Sequence, residues 1–277
     1  MEIFEKIEYD INNHINESLG MFDKQYEIAD KLSINIYDMI VNKEKHKVFS
    51  VDSDNINFVD VLIDKNILKT NAEIYGFNDE TKTVKLTVNL NEMDLKDKNS
   101  FIRLMKNILT HELMHGNIFL HRYLNGEDIN DIPDYYDICQ KIFNNKIKTS
   151  AVYQEFAYAL YSIYYQEMQS IVSQTYVQIE NYYKQHNIKP NRENFKYVLK
   201  KIESYSTYYG NINRTVPLIK FMLSYDEKHF LEGLEEVGFN FDKKTLEKYL
   251  NLIIKRSDEA IKNIDRNAIL FYYEHIK

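Results

Sequence analysis

The sequence predicts an α+β fold that is mostly helical, with a small N-terminal sheet and an extended C-terminal helical region. Three observations carry this. Glycine and proline are scarce, 7 and 3 in 277 residues, which leaves few turns and favours long helices. Two-residue alternation, rich in β-branched residues, is confined to residues 47–91. Elsewhere apolar residues recur at three- and four-residue spacing, the period of an amphipathic helix.

Taken in order, residues 1–46 read as helix. Ile3, Phe4, Ile7, Ile11 and Ile15 form one stripe, and Leu32, Ile36, Met39 and Ile40 a second, with Gly20 as an interruption. Residues 48–51, 56–63, 72–77 and 83–90 read as strands; the last alternates strictly, apolar at Val84, Leu86, Val88 and Leu90. Asn78-Asp79-Glu80-Thr81 is rich in turn formers, so the last two strands pair as a hairpin. Alternation implies one sheet face under helices and a wetter one outside. Residues 97–100 supply N-cap candidates for a helix from about 100 to 124, which Asn125-Gly126 ends. A short helix is expected at 135–143 after Pro133. A long tyrosine-rich helix follows over about 151–186, with Thr149 or Ser150 as cap and Asn187 and Pro190 as stop. Residues 191–277 read as four further helices, broken near Gly210, Pro217, Gly238 and Asn240. The chain thus divides into 1–125, holding the N-terminal helix and sheet; 126–190, a helical half; and 191–277, a helical extension.

Composition narrows the classes of function. A net charge of −7 argues against a nucleic-acid partner. No run of 18 apolar residues exists, so no membrane span is expected. The acidic, amphipathic start Met1-Glu2-Ile3-Phe4-Glu5-Lys6 is no signal peptide. Cys139 is the only cysteine; an intrachain disulfide is excluded, and the residue reads as a small buried hydrophobe.

The chemistry gathers at Thr110-His111-Glu112-Leu113-Met114-His115-Gly116, an H-E-x-x-H run. Positions i and i+4 of a helix stand one turn apart on one face, so both imidazoles can reach one metal ion. Zn²⁺ suits neutral imidazole and takes three protein ligands in catalytic sites. Glu112 points roughly 100° round the helix, placed to take a proton from water at the ion rather than to ligate. Leu104, Ile108, His111 and His115 form one stripe, so the histidines face the interior, where an unpaired imidazole is costly.

A third ligand is required. His121 completes the spacing of the metzincins, but Ile118 stands where that family has a helix-breaking glycine. On an unbroken helix His121 lies about 9 Å up the axis, out of reach. Glu167 follows Phe156, Leu160 and Ile163 on an apolar stripe that continues to Ile171; a carboxylate there needs an ion or a partner. The alternative is an ion pair with a buried Lys or Arg. Glu155 lies on a wetter face and is the fallback, with Asp134 and Asp137 behind it. The expected site is His111, His115 and Glu167 as ligands, with Glu112 as general base and the two helices packed side by side.

This order of elements resembles a zincin metallopeptidase of the gluzincin type: sheet, H-E-x-x-H helix, then a helical half supplying a glutamate. Residues 163–170 are similar to the third-ligand helix of phage and mobile-element zincins, where a small residue follows the glutamate by three positions, here Ser170. The resemblance covers about 72–175. Two positions depart from it: Ile171 stands where thermolysin-like enzymes place an aspartate, and Asn117 where zincins carry an apolar residue. Ser170 is then the candidate to support the ligands.

The resemblance implies zinc-dependent hydrolysis of peptide bonds, with a peptide or protein substrate expected to lie extended along 83–90 as the edge strand. Tyr164 and Tyr165 are available as oxyanion donors. The alternative is a zincin-fold structural or virion-associated component, its metal structural or its site inactive, assembling through residues 191–277. A cytoplasmic or virion-associated location is expected.

Overall fold

The structure, a computed structural model, describes residues 20–53, 55–64, 70–126, 134–144 and 146–276. The apolar stripe from Ile3 to Ile15 and the segment around Pro133 lie outside them. The α+β expectation holds: helices dominate, and one four-stranded sheet sits near the N-terminus.

Helix α1, Gly20–Val41, begins at Gly20 and presents Leu32, Ile36, Met39 and Ile40 inward. Strands β1 (His46–Ser50), β2 (Phe58–Asp64), β3 (Asn71–Asn78) and β4 (Thr83–Asn89) follow. Their order in the sheet is β1-β2-β4-β3. β3 and β4 form the expected antiparallel hairpin; its turn is closed by the Asn78 side chain, which accepts from the Thr81 N–H at 3.0 Å. β4 inserts between β3 and β2 and runs parallel to β2. Strand 83–90 is therefore central, and β3 is one of the two edges, with β1 the other, a correction to the strand expected to receive substrate. Both strands alternate alike in sequence, so alternation cannot tell centre from edge. One face, with Val59, Val61, Val84, Leu86 and Val88, is buried under α1 and the next helix. The other leaves Val48, Phe58 and Leu62 partly exposed.

Helix α2, Lys98–Leu124, is capped by Asp97, which accepts from the Asn99 N–H, and ends at Asn125 with Gly126 at φ +68°. Lys106, 5% exposed in this helix, bonds Asp30 of α1 at 2.8 Å and Glu180 at 3.0 Å, above the Tyr26 ring. Charge neutralisation of this kind is what makes a buried lysine tolerable.

After α3, Asp134–Phe143, the expected long helix is three helices: α4 (Ala151–Ser162), α5 (Tyr165–Ser173) and α6 (Thr175–His186). The chain turns extended at Tyr164, φ −60° and ψ 130°, where β-branched and aromatic residues adjoin and helix propensity is modest. Carbonyls freed at the break find distant donors. The Tyr208 hydroxyl donates to Ser162 O at 3.0 Å, and Arg256 Nη1 donates to Ile163 O at 2.7 Å.

Five helices rather than four occupy the remainder: α7 (Arg192–Leu199), α8 (Glu203–Gly210), α9 (Val216–Tyr225), α10 (Glu227–Glu236) and α11 (Lys243–His275), with a π-helical turn at Asn211–Thr215. The extra break, between Leu199 and Glu203, carries no glycine or proline. Pro217 begins α9 rather than ending a helix, since the first turn needs no N–H from it. Two cores result. One joins α5 to α8 with the C-terminal half of α11; the other joins α3, α4, α9 and α10 with its N-terminal half. Cys139 is fully buried in the second, and burial pushes its thiol up to about 12. Among the described residues no helix is long and apolar enough to cross a membrane.

Candidate metal centre

The helix–sheet contact that places the H-E-x-x-H run depends on Gly116. A Cβ there would lie 2.8 Å from Val84 Cγ2 and 3.6 Å from Ile74 Cδ1. Glycine lets α2 lie directly on β3 and β4, and Phe77 of β3 stacks on Phe119 of α2. On the opposite flank α2 meets α5 and α6. Gln174 donates to Asn107 O at 3.1 Å, and Asn267 ties Val172 O of α5 to α11 at 2.8 Å.

These contacts bring His111, His115 and Glu167 together. One ligand atom from each lies within 4.8 Å of the others. The two Nε2 atoms are 3.0 Å apart, and Glu167 Oε2 is 3.5 Å from that of His111 and 3.6 Å from that of His115. Bonds of about 2.0–2.2 Å to a tetrahedral ion require ligand atoms about 3.3–3.6 Å apart; both histidine–glutamate spans match this, and the histidine–histidine span is shorter. The 3.0 Å separation also suits one imidazole donating to the other.

The imidazoles are 19% and 18% exposed and the Glu167 side chain 4%. Oε2 of Glu167 is buried without a hydrogen-bond donor, a costly condition for a carboxylate unless a cation meets it. Oε1 is satisfied by the Tyr136 hydroxyl of α3 at 2.8 Å. No lysine or arginine among the described residues pairs with Glu167, so the ion-pair alternative finds no partner. Burial alone would raise the Glu167 pKa; the imidazole nitrogens facing it outweigh that and hold the carboxyl well below the usual range. His115 is pulled both ways: burial lowers its pKa, and Glu167 raises it further, for a net rise. Glu112 lies outside the ligand group. Burial lifts its pKa; His111 and His115 oppose this in part, as does a hydrogen bond from the Ile74 backbone. Glu112 thus leans toward the edge strand, beside the β3 irregularity between Ile74 and Gly76, and bulges commonly adjoin functional sites.

The rejected candidates go elsewhere. His121 is exposed on an unbroken α2 and meets Asn125 Nδ2 at 3.1 Å. Glu155 faces Arg214 at 3.5 Å, and Asp137 pairs with Lys141 at 2.5 Å. The Asp134 side chain lies outside the described residues. Ser170, expected to support the ligands, is fully buried with its hydroxyl unpartnered. Tyr136 fills that place instead, and sequence reasoning missed it. The one trace in the sequence is Gln140, a turn later, whose Nε2 donates to the Tyr136 oxygen at 3.3 Å. Asn117 accepts from Asn55 at 2.7 Å, which accounts for a polar residue there. Tyr165 is half exposed, while Tyr164 is buried against the Tyr136 ring.

The chain matches no protein-family model, no curated protein and no solved structure.

Proposed function

We propose that this site holds a divalent ion, zinc by its donor set, and that the protein hydrolyses peptide bonds as a gluzincin-type metallopeptidase. One observation carries the reading: two imidazole nitrogens and a buried, donorless carboxylate oxygen converge within 4.8 Å of one another. Two neutral imidazoles with one carboxylate suit zinc better than the oxygen-seeking cations. Bound there, such an ion supplies Lewis acidity and brings a water's pKa toward 7.

The chain's own groups do the rest. Glu112, with its pKa lifted by burial, takes the proton from water at its carboxylate oxygen and returns it to the leaving amine. Any proton on His115 must leave before the ring ligates, so metal uptake competes with protons. β3 offers an open edge to an extended peptide, and its backbone would align the scissile bond with Glu112. Metal analysis of the purified protein, paired with assay of Glu112→Gln on an unfolded protein substrate, tests this. Bound zinc with Glu112-dependent cleavage supports the reading.

A second reading is a structural or virion-associated assembly role. The observation behind it is a set of exposed aromatics within 191–277: Tyr197, Phe221 and Tyr225 are 56%, 59% and 79% exposed. Zinc bound without Glu112-dependent cleavage favours it.

A further inference from the structure

We infer that Tyr136 is a positioning residue that forces Glu167 to bind its ion through a single oxygen, keeping the centre four-coordinate with one open place. The inference rests on the metal reading above. Carboxylates ligate through one oxygen or both, and the choice decides how many places remain for water or substrate.

The geometry points to one oxygen. Oε1 accepts the Tyr136 hydroxyl at 2.8 Å, while Oε2 has no donor and faces both Nε2 atoms at 3.5 and 3.6 Å. Tyr136 has one proton to give. Gln140 Nε2 donates into its oxygen at 3.3 Å, so the hydroxyl proton is directed to Glu167. The ring has little freedom to leave: it stacks on Tyr161 at 5.4 Å and leans on Tyr164 at 4.8 Å. To chelate with both oxygens, Glu167 must swing Oε1 toward the histidines, which stretches its 2.8 Å bond to the Tyr136 hydroxyl in a half-buried cluster and is unfavourable. Tyr136 comes from α3, an element that supplies no ligand. A third helix thus sets the coordination of an ion held by α2 and α5.

The test uses the full chain loaded with Co²⁺, whose visible absorption reports coordination number, beside Tyr136→Phe. The wild-type protein is expected to take up the ion with the intense d–d bands of a four-coordinate site. Y136F removes the Tyr136 donor from Oε1 and leaves the Tyr161 hydroxyl, which also hydrogen-bonds Glu167; its absorption per bound cobalt is expected to fall about twofold or more as the site becomes five-coordinate. Cobalt bound by both proteins with indistinguishable spectra overturns the role of Tyr136 and leaves the metal reading standing. No cobalt or zinc taken up by the wild type overturns the metal reading and this inference with it. Should Y136F fail to fold, a crystal structure of the zinc-loaded wild type decides. Zinc bonded to Oε2 alone, with Oε1 still on Tyr136, supports the inference; zinc bonded to both oxygens overturns it.

Discussion

The break between α4 and α5 aims Glu167, and Tyr208→Phe is the cleanest way to disturb it. The variant keeps the ring, which is fully buried, and removes only a hydroxyl that donates to Ser162 O at 3.0 Å, with Met168 O at 3.5 Å on the far side of the break. Apolar burial is unchanged, so the cost is that of a buried carbonyl losing its donor, about 1–2 kcal/mol. For a chain of this size each kcal/mol moves the melting temperature by about 2–4 °C, and Y208F should melt about 2–8 °C below wild type. In urea the midpoint should fall with the m-value unchanged. A loosened break also lets Glu167 wander from the histidines, so zinc affinity should drop by about tenfold, the scale seen when groups that orient metal ligands are lost. Stability within about 0.5 kcal/mol of wild type, the range of a neutral substitution, would refute the claim that Tyr208 holds the break.

Other outcomes follow from the same contacts. Glu112→Gln should leave metal content unchanged and cut peptide hydrolysis by about 10²–10⁴-fold, read by metal analysis beside a cleavage assay. In metal-free protein the Glu167 pKa is depressed and that of His115 raised. The Glu167 contribution is therefore complete above its unfolded pKa of about 4.3 and fades as pH falls below it. That of His115 is complete below about 6.5 and fades as pH rises through its higher folded value. Unfolding midpoints measured across pH should show both arms, and Glu167→Gln should flatten them. Lys106→Met removes one of three donors to Glu180, which keeps Lys184 at 2.6 Å and the Tyr26 hydroxyl at 2.7 Å, and should cost about 1–2 kcal/mol in denaturant unfolding; Asp30→Asn, at a partner 47% exposed, should cost under about 1 kcal/mol. His121→Ala should leave zinc stoichiometry untouched in the same metal analysis.

The H-E-x-x-H face was legible because four-residue spacing on a helix is local geometry. His111 and His115 stand where that spacing puts them. Glu167 was identified by the cost of a carboxylate among apolar neighbours, and that cost is real: Oε2 is buried and donorless. Yet the stripe was drawn along one continuous helix. Glu167 lies instead in the first turn of α5, where the helix dipole favours a carboxylate. The break is hidden from local sequence because its donors, Tyr208 and Arg256, stand 46 and 93 residues away from the carbonyls they bond. Tyr136 was hidden for another reason. It is one of 23 tyrosines, and only the packing of α3 against α4, which carries its hydroxyl to Glu167, sets it apart. The edge strand was misjudged because β4 enters the sheet between β3 and β2, a long-range choice that alternation does not encode.

The central claim is that His111, His115 and Glu167 hold one divalent ion. Anomalous diffraction at the zinc edge from crystals of the zinc-loaded protein tests it most directly. The expected result is a single peak about 2.0–2.2 Å from both Nε2 atoms and from Glu167 Oε2. A peak elsewhere, or none while the two imidazoles bond each other, would contradict it.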